Sequence, residues 1–292
     1  MVRGAEALAW PFVGVVGVID RRTFVQFSGA AAAALWAAPA FGVPLAPKSE
    51  AFDWDWLVGK AQALAKGDPM RPPTVPDILG KLTYDQHRDI RFRPTEALWE
   101  HGDQPFRAQF FHPGWQYQHP VDIFAVQDGQ ARRVLFETGL FDYGKTKLPR
   151  RLDAKLGFAG FRLHYPLNRP DYHDELIAFL GASYFRALGQ GNQYGLSARG
   201  IAIDTAETGG EEFPSFRQFW LEKPDAGARM MRIYALLDGR SVAGAYAFTL
   251  VPGRTTVVSV KAALFFRRQV KRLGIAPLTS MFLHGGTTPP PV

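Results

Sequence analysis

Three apolar runs in series, at 231–237, 244–251 and 255–265, constrain the fold more than any other feature of this sequence. Asp238-Gly239 and Pro252-Gly253 stand between them, and both dipeptides suit tight chain reversals. The spacing predicts a meander on a large antiparallel sheet. Upstream, 91–93, 106–111, 121–126 and 158–165 alternate between polar and apolar residues, and Asp128-Gly129 precedes a further run at 133–137. Turn signals recur about every 8–12 residues, the rhythm of a sandwich or barrel rather than of βαβ units. Segment 174–180 reads equally as a helical turn or a strand. A helix is expected at 52–66, with apolar residues at helical spacing and a stop at Gly67-Asp68-Pro69. A short second helix is expected at 76–82 after the proline-rich connector. The expected fold class is therefore all-β, a large antiparallel sandwich or barrel with a short N-terminal helix.

Composition removes several function classes. The chain has 292 residues, 23 of them Phe, and a formal charge of +7. Its basic residues are dispersed among acids, so no nucleic-acid footprint is expected. The absence of cysteine excludes disulfides and thiolate metal sites. Of the histidines only His112 and His119 lie close together, and none has a metal-ligand spacing. No metal or cofactor is expected. The glycines at 189, 191 and 195 do not match a dinucleotide loop, because the spacing is wrong and no helix follows. Ser183 and Ser197 have no nucleophile-elbow context.

The N-terminus reads as an export signal. Arg21-Arg22 precedes an alanine-rich apolar run at 27–38, followed by the small residues Ala38-Pro39-Ala40. The paired arginines point to the twin-arginine route, and the run is short for a membrane span of about 20 residues. The expected divisions are an export signal with an upstream extension at 1–40, a β-sandwich domain at 41–284, and a loose tail at 285–292. The tail ends in three prolines, which cannot enter a sheet interior.

The stretch at 181–220 concentrates the chemistry. It sets Tyr184, Arg186, Tyr194 and Arg199 among glycines, adds Asp204, Glu207, Glu211 and Glu212, and closes on Trp220. Rings with polar tips, guanidinium donors and carboxylates around a hollow suit a polyhydroxylated ligand such as a sugar. Tyr184, Arg186, Tyr194, Arg199, Asp204, Glu211, Glu212 and Trp220 are the candidate binding residues. The same stretch also reads as a hairpin with a solvated acidic loop. Paired carboxylates for glycoside hydrolysis are available among Asp142, Asp204, Glu207, Glu211, Glu212 and Asp238, but spacing in sequence cannot give their separation in space.

Read together, the motifs LGFAGFR (156–162), FLGASYFRALGQGNQYGLSARGIAIDTA (179–206), EEFPSFRQFW (211–220), YALLDG (234–239), GAYAF (244–248) and GIAPLTSMF (274–282) resemble one family. It is that of the periplasmic glucans biosynthesis proteins G and D, which act on osmoregulated periplasmic glucans. The twin-arginine signal is similar to that of the D-type members. The resemblance implies a mutarotase-like sandwich followed by an immunoglobulin-like domain, residence in the periplasm, and work on a β-1,2-glucan backbone. It also implies a possible partner in a membrane-bound glucan synthase. For D-type members it implies anomer-inverting hydrolysis, in which one carboxylic acid donates a proton and a second carboxylate activates water. Two departures follow. The pattern is lost from Gly285 to Val292, where the family continues into the segment with the general acid and then into the second domain. The ending is expected to be a prematurely closed reading frame that lacks both. Ser215 occupies the position at which some D-type members carry the base. The expectation is sugar binding with negligible hydrolysis, with service as a glucan-holding module or a non-functional fragment as the alternatives.

Overall fold

A computed structural model describes residues 42–149 and 152–279. The export segment and the tail at 285–292 lie outside the described residues. Strand β1 (Leu45–Ala51) leads into helix α1 (Trp54–Ala65), which two short helices follow, α2 (Asp77–Gly80) and α3 (Tyr84–Asp89). Then come β2 (Arg91–Phe92), β3 (Arg107–Phe111), β4 (Asp122–Gln127), β5 (Gln130–Val134) and β6 (Phe141–Asp142). A long hairpin of β7 (Gly160–Arg169) and β8 (Tyr172–Leu180) continues into β9 (Tyr184–Ala187), β10 (Ala198–Arg199) and β11 (Ile201–Ile203). The remaining strands are β12 (Ser215–Glu222), β13 (Met231–Asp238), β14 (Val242–Val251), β15 (Val257–Phe266) and β16 (Leu273–Ile275).

Local chemistry accounts for most of these elements. The Asp53 side chain caps α1 by accepting from the Trp56 amide at 2.7 Å. Leu57 and Ala61, four residues apart, bury the face that α1 turns to the sheet. Asp128 (φ 52°) and Gly129 (φ 70°) form the two-residue turn between β4 and β5, the left-handed pair that fits strand twist. The meander expected after residue 230 is present as β13, β14 and β15, paired antiparallel in sequence order. Segment 174–180, open between helix and strand, is part of β8. Helix α3 was not anticipated, yet it carries a full capping box. Gln86 donates its amide to Thr83 Oγ1 at 3.3 Å, and Thr83 donates its amide to Gln86 Oε1 at 2.9 Å.

The all-β sandwich is formed by two sheets. Seven strands run in the order β1-β5-β4-β12-β13-β14-β15, and five in the order β10-β9-β8-β7-β3. One pairing departs from the antiparallel expectation: β4 and β12 run parallel, with Asp122 opposite Gln218. Between them the chain leaves to build the five-stranded sheet, and it re-enters the first sheet from the same end. The sheets meet face to face through aromatic rings. Phe161 lies 5.0 Å from Phe219, and Phe179 lies 5.1 Å from Phe248, centroid to centroid. Each such buried ring contributes roughly 1.5–3 kcal/mol of hydrophobic stabilisation. A second, smaller core lies on the other face of the seven-stranded sheet, where α1 covers Trp220, Leu236 and Ala245. The outer face of the five-stranded sheet carries Arg162, Glu175, Tyr184 and Arg186 beside Phe111 and Leu180.

Candidate functional site

Strand alternation decides what the five-stranded sheet shows to the outside. On β7, Phe161 and Leu163 are buried while Arg162 between them is only partly covered. On β9, Phe185 points into the core and Tyr184 and Arg186 flank it on the outer side. Cross-strand pairing then assembles a polar patch. Arg162 Nη1 donates to Glu175 Oε2 at 3.0 Å, and its Nε and Nη2 donate to Gln109 Oε1 at 3.2 and 2.8 Å. The same guanidinium lies 5.7 Å from the centre of the Phe111 ring. Arg186 lies over Tyr194, 4.2 Å from its ring centre, which holds the tyrosine upright beside the sheet.

Three hollows open along this face, with volumes of about 620, 390 and 150 Å³. Tyr117 and Leu180 line all three, so the hollows meet at that pair and form one groove. Tyr184, Arg186, Tyr194, Arg162 and Glu175 line the middle hollow. The loop that carries Tyr194 is laid against the β14–β15 turn: Gln190 donates to the Gly253 carbonyl at 3.0 Å, and Thr256 to the Leu188 carbonyl at 2.6 Å. Gly189 makes this approach possible, because a Cβ there would stand 2.5 Å from the Arg254 carbonyl oxygen.

A histidine pair supports the largest hollow from below. His112 Nδ1 donates to the Pro113 carbonyl at 2.6 Å, which leaves Nε2 to accept from the Tyr143 hydroxyl at 3.3 Å. Burial pushes the His112 imidazole down to about 4 and the Tyr143 phenol up to about 12, so both are neutral at pH 7. His87 in turn donates Nε2 to the His112 carbonyl at 2.8 Å, and it packs against Trp115 and Tyr117 at the groove's edge.

The structure separates the eight residues singled out in the sequence. Tyr184, Arg186 and Tyr194 share the groove, and Ser215 lines its smallest hollow. Arg199 is buried beside them, bonded to Glu211 Oε1 at 2.5 Å and lying 5.2 Å from the Tyr184 ring centre. This pair fixes the tyrosine rather than facing the groove. Asp204 and Glu212 bond elsewhere. Asp204 accepts from the amides of Lys271 and Arg272 at 2.9 and 3.0 Å. Glu212 accepts from the Ser241 amide and hydroxyl at 2.9 and 2.6 Å, with Arg268 at 3.4 Å. The partners of Asp204, and Arg268 beside Glu212, fall in the basic segment 267–272, so these acids tie loops to the chain that runs into β16, and Glu212 also holds the β13–β14 turn at Ser241. Trp220 is on the opposite face of the seven-stranded sheet, 1% exposed, with Phe52 and Phe124 stacked on its two sides at 5.1 and 5.3 Å. No ligand reaches that ring.

Arg162, Gln109, Glu175 and Tyr117 were not singled out in sequence. The alternation Phe161-Arg162-Leu163 was the available signal, since a charged residue between two core residues of a strand must face outward.

Fold and groove together define a β-sandwich that presents rings, guanidinium groups and the carboxylates of Glu175 and Asp142 along one open sheet face. The chain belongs to the family of periplasmic glucan biosynthesis proteins, MdoG, whose family model matches residues 52–292. It is similar to glucans biosynthesis protein G of Ralstonia nicotianae, 51% identical over 240 residues that make up 82% of this chain and 48% of that protein. The glucans biosynthesis protein G of Rhodopseudomonas palustris is 50% identical over 247 residues, 84% of this chain and 49% of its own. That of Vibrio cholerae is 45% identical over 239 residues, 81% of this chain and 44% of its own. The chain thus spans about half the length of these relatives. All three carry the G name, whereas the twin-arginine motif pointed towards the D-type members. Among the described residues no helix is long and apolar enough to cross a membrane.

Proposed function

We propose that this chain serves periplasmic glucan biosynthesis by holding a β-1,2-linked glucan backbone in the groove on the five-stranded sheet. The observation that carries the proposal is the grouping of Tyr117, Tyr184 and Tyr194 with Arg162 and Arg186 around hollows that meet. The apolar faces of glucose rings pack on tyrosine, and guanidinium and amide donors satisfy sugar hydroxyls that would otherwise be buried unpaired. A membrane-bound synthase is the natural source of such a chain, and holding the nascent polymer is the role the groove fits.

Binding, rather than cleavage, is the activity proposed for these residues. Glu175 is committed to Arg162 at 3.0 Å, and Ser215 donates its hydroxyl to the Phe213 carbonyl at 3.3 Å. A serine hydroxyl without an adjacent base does not take a proton from water. Titration calorimetry with β-1,2-gluco-oligosaccharides of increasing length tests the proposal, together with an assay for new reducing ends. The expected result is saturable binding without turnover, weakened about tenfold by Tyr184→Ala, roughly 1.4 kcal/mol. No binding by a cooperatively folded protein, or binding indifferent to Tyr184→Ala, overturns the proposal, and steady release of reducing ends overturns its restriction to binding.

A further inference from the structure

Arg217 is a groove arginine that lies outside the Arg162–Glu175–Gln109 patch. It lies on β12 where the register against β13 shifts between Phe216 and Gln218, and it lines the smallest hollow. Its Nε is buried and has no hydrogen-bond partner among the described residues. Arg162 is satisfied by Glu175 and Gln109, and Arg199, whose Nε is likewise unpaired, is held by Glu211 and lines none of the three hollows. The acid whose charge reaches Arg217 is Asp238, and Asp238 already holds Arg267 at 2.8 Å and the Met70 amide at 2.6 Å. Asp238 is thus engaged by Arg267 and the Met70 amide, and it makes no ion pair with Arg217. Burial holds the Arg217 guanidinium below the usual arginine value, against the opposing charge of Asp238.

The rest of the hollow adds neutral polar groups and no acid. Gln116, Gln118, His119, Tyr184 and Ser215 share its wall, and no Asp or Glu does. A planar guanidinium with an unpaired buried N–H, set among amide and hydroxyl groups, is built for a pair of oxygens that carry negative charge. At about 150 Å³ the hollow is far smaller than its neighbours of 390 and 620 Å³, so it suits a single acid group at the end of a larger groove.

We infer that this end of the groove is an oxyanion site, in which Arg217 binds a carboxylate or phosphate group. The glucan-binding proposal bears on it only through the source of the anion, which is either a free ion or an acid group carried on the polymer.

The test uses two probes at constant ionic strength in chloride buffer. One is inorganic phosphate. The other is a β-1,2-gluco-oligosaccharide with one C6 oxidised to a carboxylate, compared with its neutral parent. If the acid is carried on the polymer, the oxidised sugar binds at least tenfold more tightly than the parent, and Arg217→Met abolishes the difference. If the source is a free ion, the two sugars bind alike, while phosphate saturates the wild-type protein and not the variant. Arg217→Lys keeps the charge but loses the fork, so it retains part of either effect, and it replaces the methionine variant should that fail to fold. Neutral sugar binding with no Arg217-dependent gain from either acid overturns the inference and leaves the glucan proposal standing. Phosphate binding through Arg217 without neutral sugar binding does the reverse.

Discussion

The two outer faces of the sandwich use the same kinds of residue to opposite ends. On the seven-stranded sheet, Trp220 is enclosed by Phe52, Phe124 and helix α1, with Lys60 4.8 Å from the Trp56 ring at the margin. On the five-stranded sheet, Tyr184 and Tyr194 stand beside Arg186, Arg162 and Gln109 along a hollow that no helix of the described residues fills. An aromatic ring on a strand becomes core or binding surface according to whether a third layer arrives to cover it. Here α1, capped by Asp53, arrives on one side only.

The sharpest way to break the comparison is Trp220→Ala. Truncating a fully enclosed ring costs about 3–5 kcal/mol, while affinity for gluco-oligosaccharide per folded molecule stays unchanged. Denaturant unfolding and calorimetry measure the two sides separately, and a loss of affinity would place Trp220 in the site after all.

His112, under the groove, comes next. Its folded-state value of about 4 lies below the ordinary 6.5, so the neutral form is favoured by folding. That contribution is complete above pH 6.5 and is lost as pH falls towards 4, on the order of 3 kcal/mol in all. Unfolding curves between pH 7 and 4 are expected to fall less steeply for His112→Leu than for the wild type. Parallel curves would mean that the imidazole is better solvated than its surroundings indicate.

The smallest effect on stability is expected at Tyr194, whose ring is 37% exposed. Tyr194→Ala is expected to change stability by less than about 0.5 kcal/mol. Its affinity for the oligosaccharide falls several-fold, the mirror image of Trp220→Ala. A stability loss as large as that at Trp220 would erase the contrast between the faces.

The meander was readable because Asp238-Gly239 and Pro252-Gly253 punctuate three apolar runs in series. Helix α1 was readable from its apolar spacing. The short α3 was missed although Thr83-x-x-Gln86 signals its start, because a helix of 6 residues leaves no apolar period to see. Strand β1 was missed because Pro47 argues against a strand. It is tolerated there on the edge of the sheet, beside an irregular register at Leu45 and Ser49. Tyr184, Arg186 and Tyr194 were found because they are close in sequence. The Arg162–Glu175–Gln109 patch was not, since three strands must pair before it exists. Trp220 was drawn to the site by its neighbours in sequence. Phe219-Trp220-Leu221 is a continuous apolar run, and such a run marks a strand buried on both faces.

The parallel seam between β4 and β12 has a consequence for how the chain reaches this form. Asp122 and Gln218 are 96 residues apart, while β4–β5 and the meander β13–β15 close through short turns. Local hairpins form early, and the union of the two half-sheets must wait for the closure of a long loop, which is slow to find and costly in chain entropy. Ser215 and Arg217 ride on β12, so the anion-binding end of the groove is among the last features of the molecule to come into being.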